Sequence, residues 1–187
     1  MKNISMKSMM TVLTLVMVAL CGVNQGKIEA ASNLANQDLI IINKYTNKLA
    51  YFHNGYIEMV DPVATGKTWD KTPVGFFKVV NKIKNRPYYT GHITGGDPRN
   101  PLGKRWLGLN ANGTYGDTYG IHGNNNESSI GKYVSQGCVR MHNADIEKLY
   151  EKVQVGTPVA ITCSYKSFVD LTSVYGYKFK GYKMKNN

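Results

Sequence analysis

The stretch KLAYFHNGYIEMV, Lys48 to Val60, limits the possible folds most. Two alternating apolar runs meet at Asn54-Gly55, the dipeptide best suited to the left-handed backbone of a two-residue hairpin turn. Antiparallel strands are expected here, and because an isolated hairpin is only marginally stable in water, more strands must pack with it. LIIINK from Leu39, VGFFKVVNKI from Val74, RWLGLN from Arg105, TYGIHG from Thr118 and PVAITC from Pro158 supply them, each a short apolar run. The clearest helix follows His142. Asn143 is placed as its N-cap, Asp145 and Glu147 near its positive start, and Ile146, Leu149, Tyr150 and Val153 on one apolar face, with Gly156 and Pro158 as the stop. Between Lys84 and Lys104 lies a stretch dense in Gly, Pro, Asn and Arg that is too long for a plain connector. The end, VYGYKFKGYKMKNN, alternates aromatic and basic residues and fits either an edge strand or a surface-binding tail.

The first thirty residues have the three-part layout of a secretory signal peptide: Lys2 and Lys7, an apolar run from Met9 to Val23, and small residues at Ala30, Ala31 and Ser32. The run is shorter than the roughly 20 residues of a membrane span. Cys21 raises lipidation as an alternative, but Leu20 is bulky where lipoprotein processing takes a small residue. A secreted, extracytoplasmic or wall-associated monomer is expected, with residues 1–30 removed, a domain over 31–163 and a basic aromatic extension over 164–187. Taking Lys2, Lys7, Lys27 and Glu29 from the 23 basic and 12 acidic residues leaves a net charge of +9. Scattered basic residues outside the cell argue against nucleic acid and for anionic wall polymers or lipid headgroups.

Compartment sharpens the question of Cys138 and Cys163, the two cysteines left after export. An exported pair can form a disulfide, yet Cys163 ends an apolar strand pattern, whereas Cys138 follows Gly137 in the turn SQGCVRM, where its sulfur is approachable. A zinc site is a third possibility, but no ligand pair has the usual spacing, and no metal or cofactor is expected. As a nucleophile, Cys138 needs a base or a cation beside it. His122 is the best candidate, because Gly123 follows and its carbonyl can approach the imidazole unobstructed and orient it. His53, His92 and His142 are expected to be ordinary exposed polar residues. Backbone N–H groups of Gln136, Gly137 and Cys138 are candidate oxyanion donors. Arg140, on the thiol's side of an extended segment, can hold a substrate carboxylate, stabilise the thiolate or make an internal ion pair.

The IHG at Ile121 to Gly123, the SQGCVRM at Ser135 to Met141 and the following HNADIEKLYEKVQVGTPVAI closely resemble the catalytic half of L,D-transpeptidases of the YkuD type. TGKTWDKTPVGFF and NPLGKRWLGLN resemble that family's preceding segments, so the likeness runs from about Asp38 to Thr162. It implies a mainly β, sandwich-like domain of mixed sheets with one prominent helix after the cysteine. It further implies a cysteine enzyme acting on peptidoglycan stem peptides, with a tetrapeptide donor and a diamino-acid side-chain amine as acceptor. Matched residue by residue, Cys138 takes the nucleophile's place, His122 the base and Gly123 the orienting carbonyl, while Ser135 and Arg140 fall on motif positions. Gln136 stands where many members have histidine. The implied activity is 3-to-3 cross-linking, with an L,D-carboxypeptidase or a non-catalytic wall-binding protein as alternatives.

Overall fold

The computed structural model describes residues 37–183; the expected signal segment and Cys21 lie outside them. Ten strands follow in chain order: β1 (Leu39–Asn43), β2 (Lys48–His53), β3 (Tyr56–Gly66), β4 (Gly75–Lys84), β5 (Arg105–Leu109), β6 (Tyr119–His122), β7 (Tyr133–Ser135), β8 (Val139–Met141), β9 (Pro158–Thr162) and β10 (Gly181–Tyr182). Two helices, α1 (Asn143–Lys152) and α2 (Phe168–Val174), complete the described chain. The hairpin forms as expected, with Asn54 at φ 51° and Gly55 at φ 92°, the two left-handed centres the dipeptide favours.

The strands run in the order β10-β3-β2-β1-β9-β4-β5-β6-β8. Long strand β3 makes this sheet return on itself. Its first part pairs with β2, whereas Val63 and Ala64 pair antiparallel with Met141 and Arg140 of β8. The expected mainly β, mixed architecture is present, as a barrel-like core with parallel pairs at β1–β9 and β6–β8.

Strand β1 explains its own unbroken apolar run. Ile40 and Ile42 face the inner core with Leu49, Tyr51 and Val159, while Leu39 and Ile41 face a second cluster with Phe52, Leu171 and Tyr177. Burial on both faces demands apolar residues at every position instead of alternate ones. The outer cluster exists because the chain beyond Cys163 packs back: α2 brings Leu171, and the Tyr177 hydroxyl accepts from the Gly55 N–H at 2.8 Å. β10 then adds a short parallel edge to β3, so the described part of the C-terminal segment forms an edge strand.

Helix α1 buries Ile146, Leu149, Tyr150 and Val153, the expected face, against the inner core. Its start differs from the sequence expectation by one residue. His142 occupies the N-cap position without a side-chain cap, and Asn143 is the first helical residue. The Glu127 carboxylate takes over part of the capping, facing His142 Nδ1 and accepting from the Asn143 N–H at 3.3 Å.

Candidate active site

Parallel pairing of β6 and β8 builds the site. Ile121 lies opposite Val139 and His122 opposite Arg140, so Cys138, immediately before β8, sits at the level of Gly120 on the same side as Arg140. Both cysteines are free thiols, which removes the disulfide between Cys138 and Cys163. Cys138 Sγ lies 3.4 Å from the Thr118 carbonyl and also receives the Gly120 N–H.

The turn before the cysteine is held by its own serine. Ser135 Oγ donates to the Cys138 carbonyl at 2.6 Å and accepts from the Gly137 N–H at 3.1 Å. Of the three candidate oxyanion donors, Gly137's N–H is therefore engaged, and the Gln136 side chain is exposed. A second clamp comes from the loop between β3 and β4. Thr72 Oγ1 donates to the Gly137 carbonyl at 3.0 Å, and the Lys67 N–H donates to the Ser135 carbonyl at 2.9 Å. Buried Lys44 fixes that loop, donating from Nζ to the carbonyls of Trp69 and Thr72 at 2.6 and 2.5 Å.

His122 is fully enclosed, its Nδ1 2.7 Å from the Gly123 carbonyl and its ring stacked on Trp106 at 5.3 Å. Gly123 has no room for a side chain: a Cβ would lie 2.2 Å from Asn143 Oδ1. That amide is part of the scaffold behind the carbonyl, since Asn143 Oδ1 accepts from the Asn124 N–H and Nδ2 donates to the Asn124 carbonyl and to Glu127. Burial, with help from the nearby guanidiniums of Arg140 and Arg86, pushes the His122 pKa down to about 4. The imidazole is neutral at neutral pH and able to accept a proton.

Cys138 is not a pre-formed thiolate. A charged His122 would have favoured the thiolate, but burial pushes the Cys138 thiol pKa up, opposed by the Gly120 N–H and the positive charges of Arg86 and Arg140. At neutral pH the thiol and the imidazole are therefore both uncharged. Arg140 has no carboxylate within ion-pair distance among the described residues. His53 is paired with Asp38, His142 with Glu127, and His92 is exposed on the long loop. Among the described residues no three His, Cys, Asp or Glu side chains converge as a metal site.

Residues 37–161 match the family model for the L,D-transpeptidase catalytic domain, YkuD. The chain belongs to the YkuD L,D-transpeptidase family. Among its relatives, YqjB of Bacillus subtilis (strain 168) is 49% identical over 138 residues, which cover 74% of this chain and 78% of that protein. YkuD of Bacillus licheniformis is 35% identical over 150 residues, covering 75% and 81%. Solved L,D-transpeptidases share the fold at lower identity. One from Mycobacterium smegmatis superposes with a TM-score of 0.53 at 21% identity, covering 67% of this chain and 58% of that one. One from Enterococcus faecium gives 0.54 at 20%, covering 67% and 50%. The chain thus spans only a half to three fifths of these solved structures.

In this family member Arg86 also reaches the site, unmarked by any sequence motif. It leaves the long loop between β4 and β5 to lie 4.1 Å over Trp106, on the ring that stacks on His122, and donates from Nη2 to the Asp117 carbonyl at 2.9 Å. Asn100 braces the loop by donating to the Arg86 carbonyl. Only the Arg-Pro pair in a long loop hinted at this, and no local pattern says where such an arginine will land.

The enclosed imidazole has a cost in acid. In the unfolded chain a histidine titrates near 6.5, so between about pH 6.5 and 4 the unfolded state binds more protons than the folded state, and stability falls as pH falls. The loss should approach about 3 kcal/mol at the lower end. Urea titrations of the protein and of His122→Gln should differ by an amount that is constant above pH 7 and shrinks through this window. Parallel curves would show that His122 is not kept neutral by the fold.

Proposed function

We propose that the protein is an exported L,D-transpeptidase that forms 3-to-3 peptidoglycan cross-links through a Cys138 thioester. The observation carrying this reading is the imidazole of His122, neutral and fixed by the Gly123 carbonyl, on a strand paired in parallel with the one that Cys138 opens. In the first step Sγ attacks the carbonyl of the third, diamino residue of a tetrapeptide stem while His122 takes the thiol proton. The Cys138 N–H meets the oxyanion, since that of Gly137 is held by Ser135 Oγ. Collapse breaks the amide to the terminal D-alanine, whose amine leaves with the proton from His122. The side-chain amine of a second stem then attacks the thioester, gives its proton to His122 and releases the thiol. One amide is broken and one formed, so no cofactor is required.

Arg86 and Arg140 supply positive charge beside the nucleophile and suit the stem's carboxylates. The protein's positive charge would hold it near anionic wall polymers. Incubation with disaccharide-tetrapeptides, read by mass spectrometry, tests the reading: dimers joined 3-to-3 are expected. Tripeptide monomers alone, at every acceptor concentration, would make the protein an L,D-carboxypeptidase, and no turnover of any stem would leave a wall-binding protein.

A further inference from the structure

We propose that a cluster of aromatic side chains beside the cysteine turn is a binding platform for the glycan strand that carries the stem, a deepening that rests on the function proposed above. Four aromatic residues gather around Lys44 and Tyr45 there. Tyr45 and Tyr165 lie 4.3 Å apart, 48% and 87% exposed. Trp69 is 72% exposed, with the buried ammonium of Lys44 5.0 Å from its ring. Tyr133, 52% exposed, donates from its hydroxyl to the carbonyls of Lys44 at 2.9 Å and Tyr45 at 3.1 Å, which ties it to the same corner.

Exposed rings that are grouped, and not scattered singly, mark a contact surface. The Tyr133 ring is held in place before any ligand arrives by the bonds of its hydroxyl to main chain, and Lys44 Nζ fixes the backbone that carries Trp69, so part of the ordering cost is already met. Flat rings edged by hydroxyls and carbonyls fit a pyranose. One face of an equatorially substituted sugar presents only C–H groups to a ring, and its hydroxyl and acetamido groups reach polar atoms at the rim.

Position selects the glycan. Tyr133 lies in β7, which ends at Ser135 and leads directly into the Cys138 turn, and the loop carrying Trp69 bonds to Ser135 and Gly137. The platform is therefore continuous with the site of acyl transfer. If the third residue of the stem is at Cys138, two residues and a lactyl ether separate it from the sugar, a reach of roughly 10 Å. Tyr133 is five residues from Cys138 along the chain, at most about 17 Å. A glycan strand extends beyond the sugar that carries the stem, so its neighbouring sugars can rest on the rings while the stem is held at the thiol, raising the stem's effective concentration there.

The test separates the sugar from the peptide. A peptide-free tetrasaccharide of alternating N-acetylglucosamine and N-acetylmuramic acid is titrated into the purified protein and followed by tryptophan fluorescence. A saturable change is expected, lost in Trp69→Ala and weakened in Tyr165→Ala, two exposed positions whose variants can be checked for folding by thermal melting. In turnover, Trp69→Ala should raise KM for a glycan-linked tetrapeptide about tenfold with kcat about unchanged, and leave KM for the free tetrapeptide alone. Equal effects on both stems, or no fluorescence change with the tetrasaccharide, would overturn the platform while leaving the transpeptidase reading intact. Binding that salt abolishes and that ignores Trp69→Ala would overturn it in favour of a polyanion. Failure of the unaltered protein to process either stem would sink the enzymatic reading instead, and the tetrasaccharide titration would still decide whether the rings hold sugar.

Discussion

Cys138→Ala is expected to lower conversion of tetrapeptide stems by on the order of a thousandfold or more, to background. No neighbouring group can substitute. The nearest hydroxyl in the turn, Ser135 Oγ, is committed to the Cys138 carbonyl and the Gly137 N–H. His122, left without a proton to receive, has no nucleophile to generate. Stability should change by only about 1 kcal/mol, because the partly exposed sulfur makes only weak contacts, to the Thr118 carbonyl and the Gly120 N–H. Muropeptide mass spectrometry together with thermal melting measures both effects. A carbapenem-type lactam, expected to add its mass to the unaltered protein as an acyl-cysteine, should add nothing to the variant. Cross-linked dimers formed at the normal rate by Cys138→Ala would remove the thiol from the mechanism.

Gly137→Ala should be nearly as damaging, for a reason in the backbone. Gly137 sits at φ 144°, where a side chain is strained, and a Cβ would lie 2.7 Å from the Lys71 carbonyl and 3.0 Å from the Tyr119 ring. The Lys71 carbonyl cannot yield easily, because the adjacent Thr72 is bound both to the Gly137 carbonyl and to Lys44. Strain and overlap together should cost about 2–4 kcal/mol of stability. Any relief must come from moving the turn, and a displacement of about 1 Å at the nucleophile lowers the rate on the order of a hundredfold. Gly131→Ala is the control: its φ is also positive, but no atom lies within 4 Å of its Cβ, so it should lose about 1 kcal/mol and keep its activity. Urea midpoints and stem turnover for the two variants should separate clearly; equal behaviour would mean that the turn tolerates a side chain.

Sequence patterns carried the local structure well. Asn54-Gly55 marked the hairpin because only a few residues accept two left-handed centres, and the α1 face was plain because Ile146, Leu149, Tyr150 and Val153 recur at helical spacing. The strand order was not legible. Nothing in LIIINK says that it lies between β2 and β9, since an apolar run buried on both faces fits any central position. Helix α2 was overlooked although it has a local signal: Ser167 and Asp170 form a reciprocal capping box ahead of Leu171. The N-cap of α1 was misplaced by one residue because Glu127, fifteen residues before His142, does part of the capping work. Cys138, His122 and Gly123 were singled out because their chemistry is rare and their spacing matches a family. Arg86 reaches the site, and Lys44 braces the loop beside it, only through folding, so no motif announced them.

The parallel contact between β1 and β9 bears on when the protein becomes chemically competent. Ile40 lies opposite Val159, and β9 is also the strand that joins β1 to β4, so the ring of strands is completed by almost the last piece of the family domain to leave the ribosome. Contacts between residues so far apart in the chain form late, after the ends have found each other. Until then, the barrel that encloses His122 and sets it beside the Cys138 turn is incomplete. A thiol that meets the imidazole only at the end of folding stays quiet throughout synthesis of the chain.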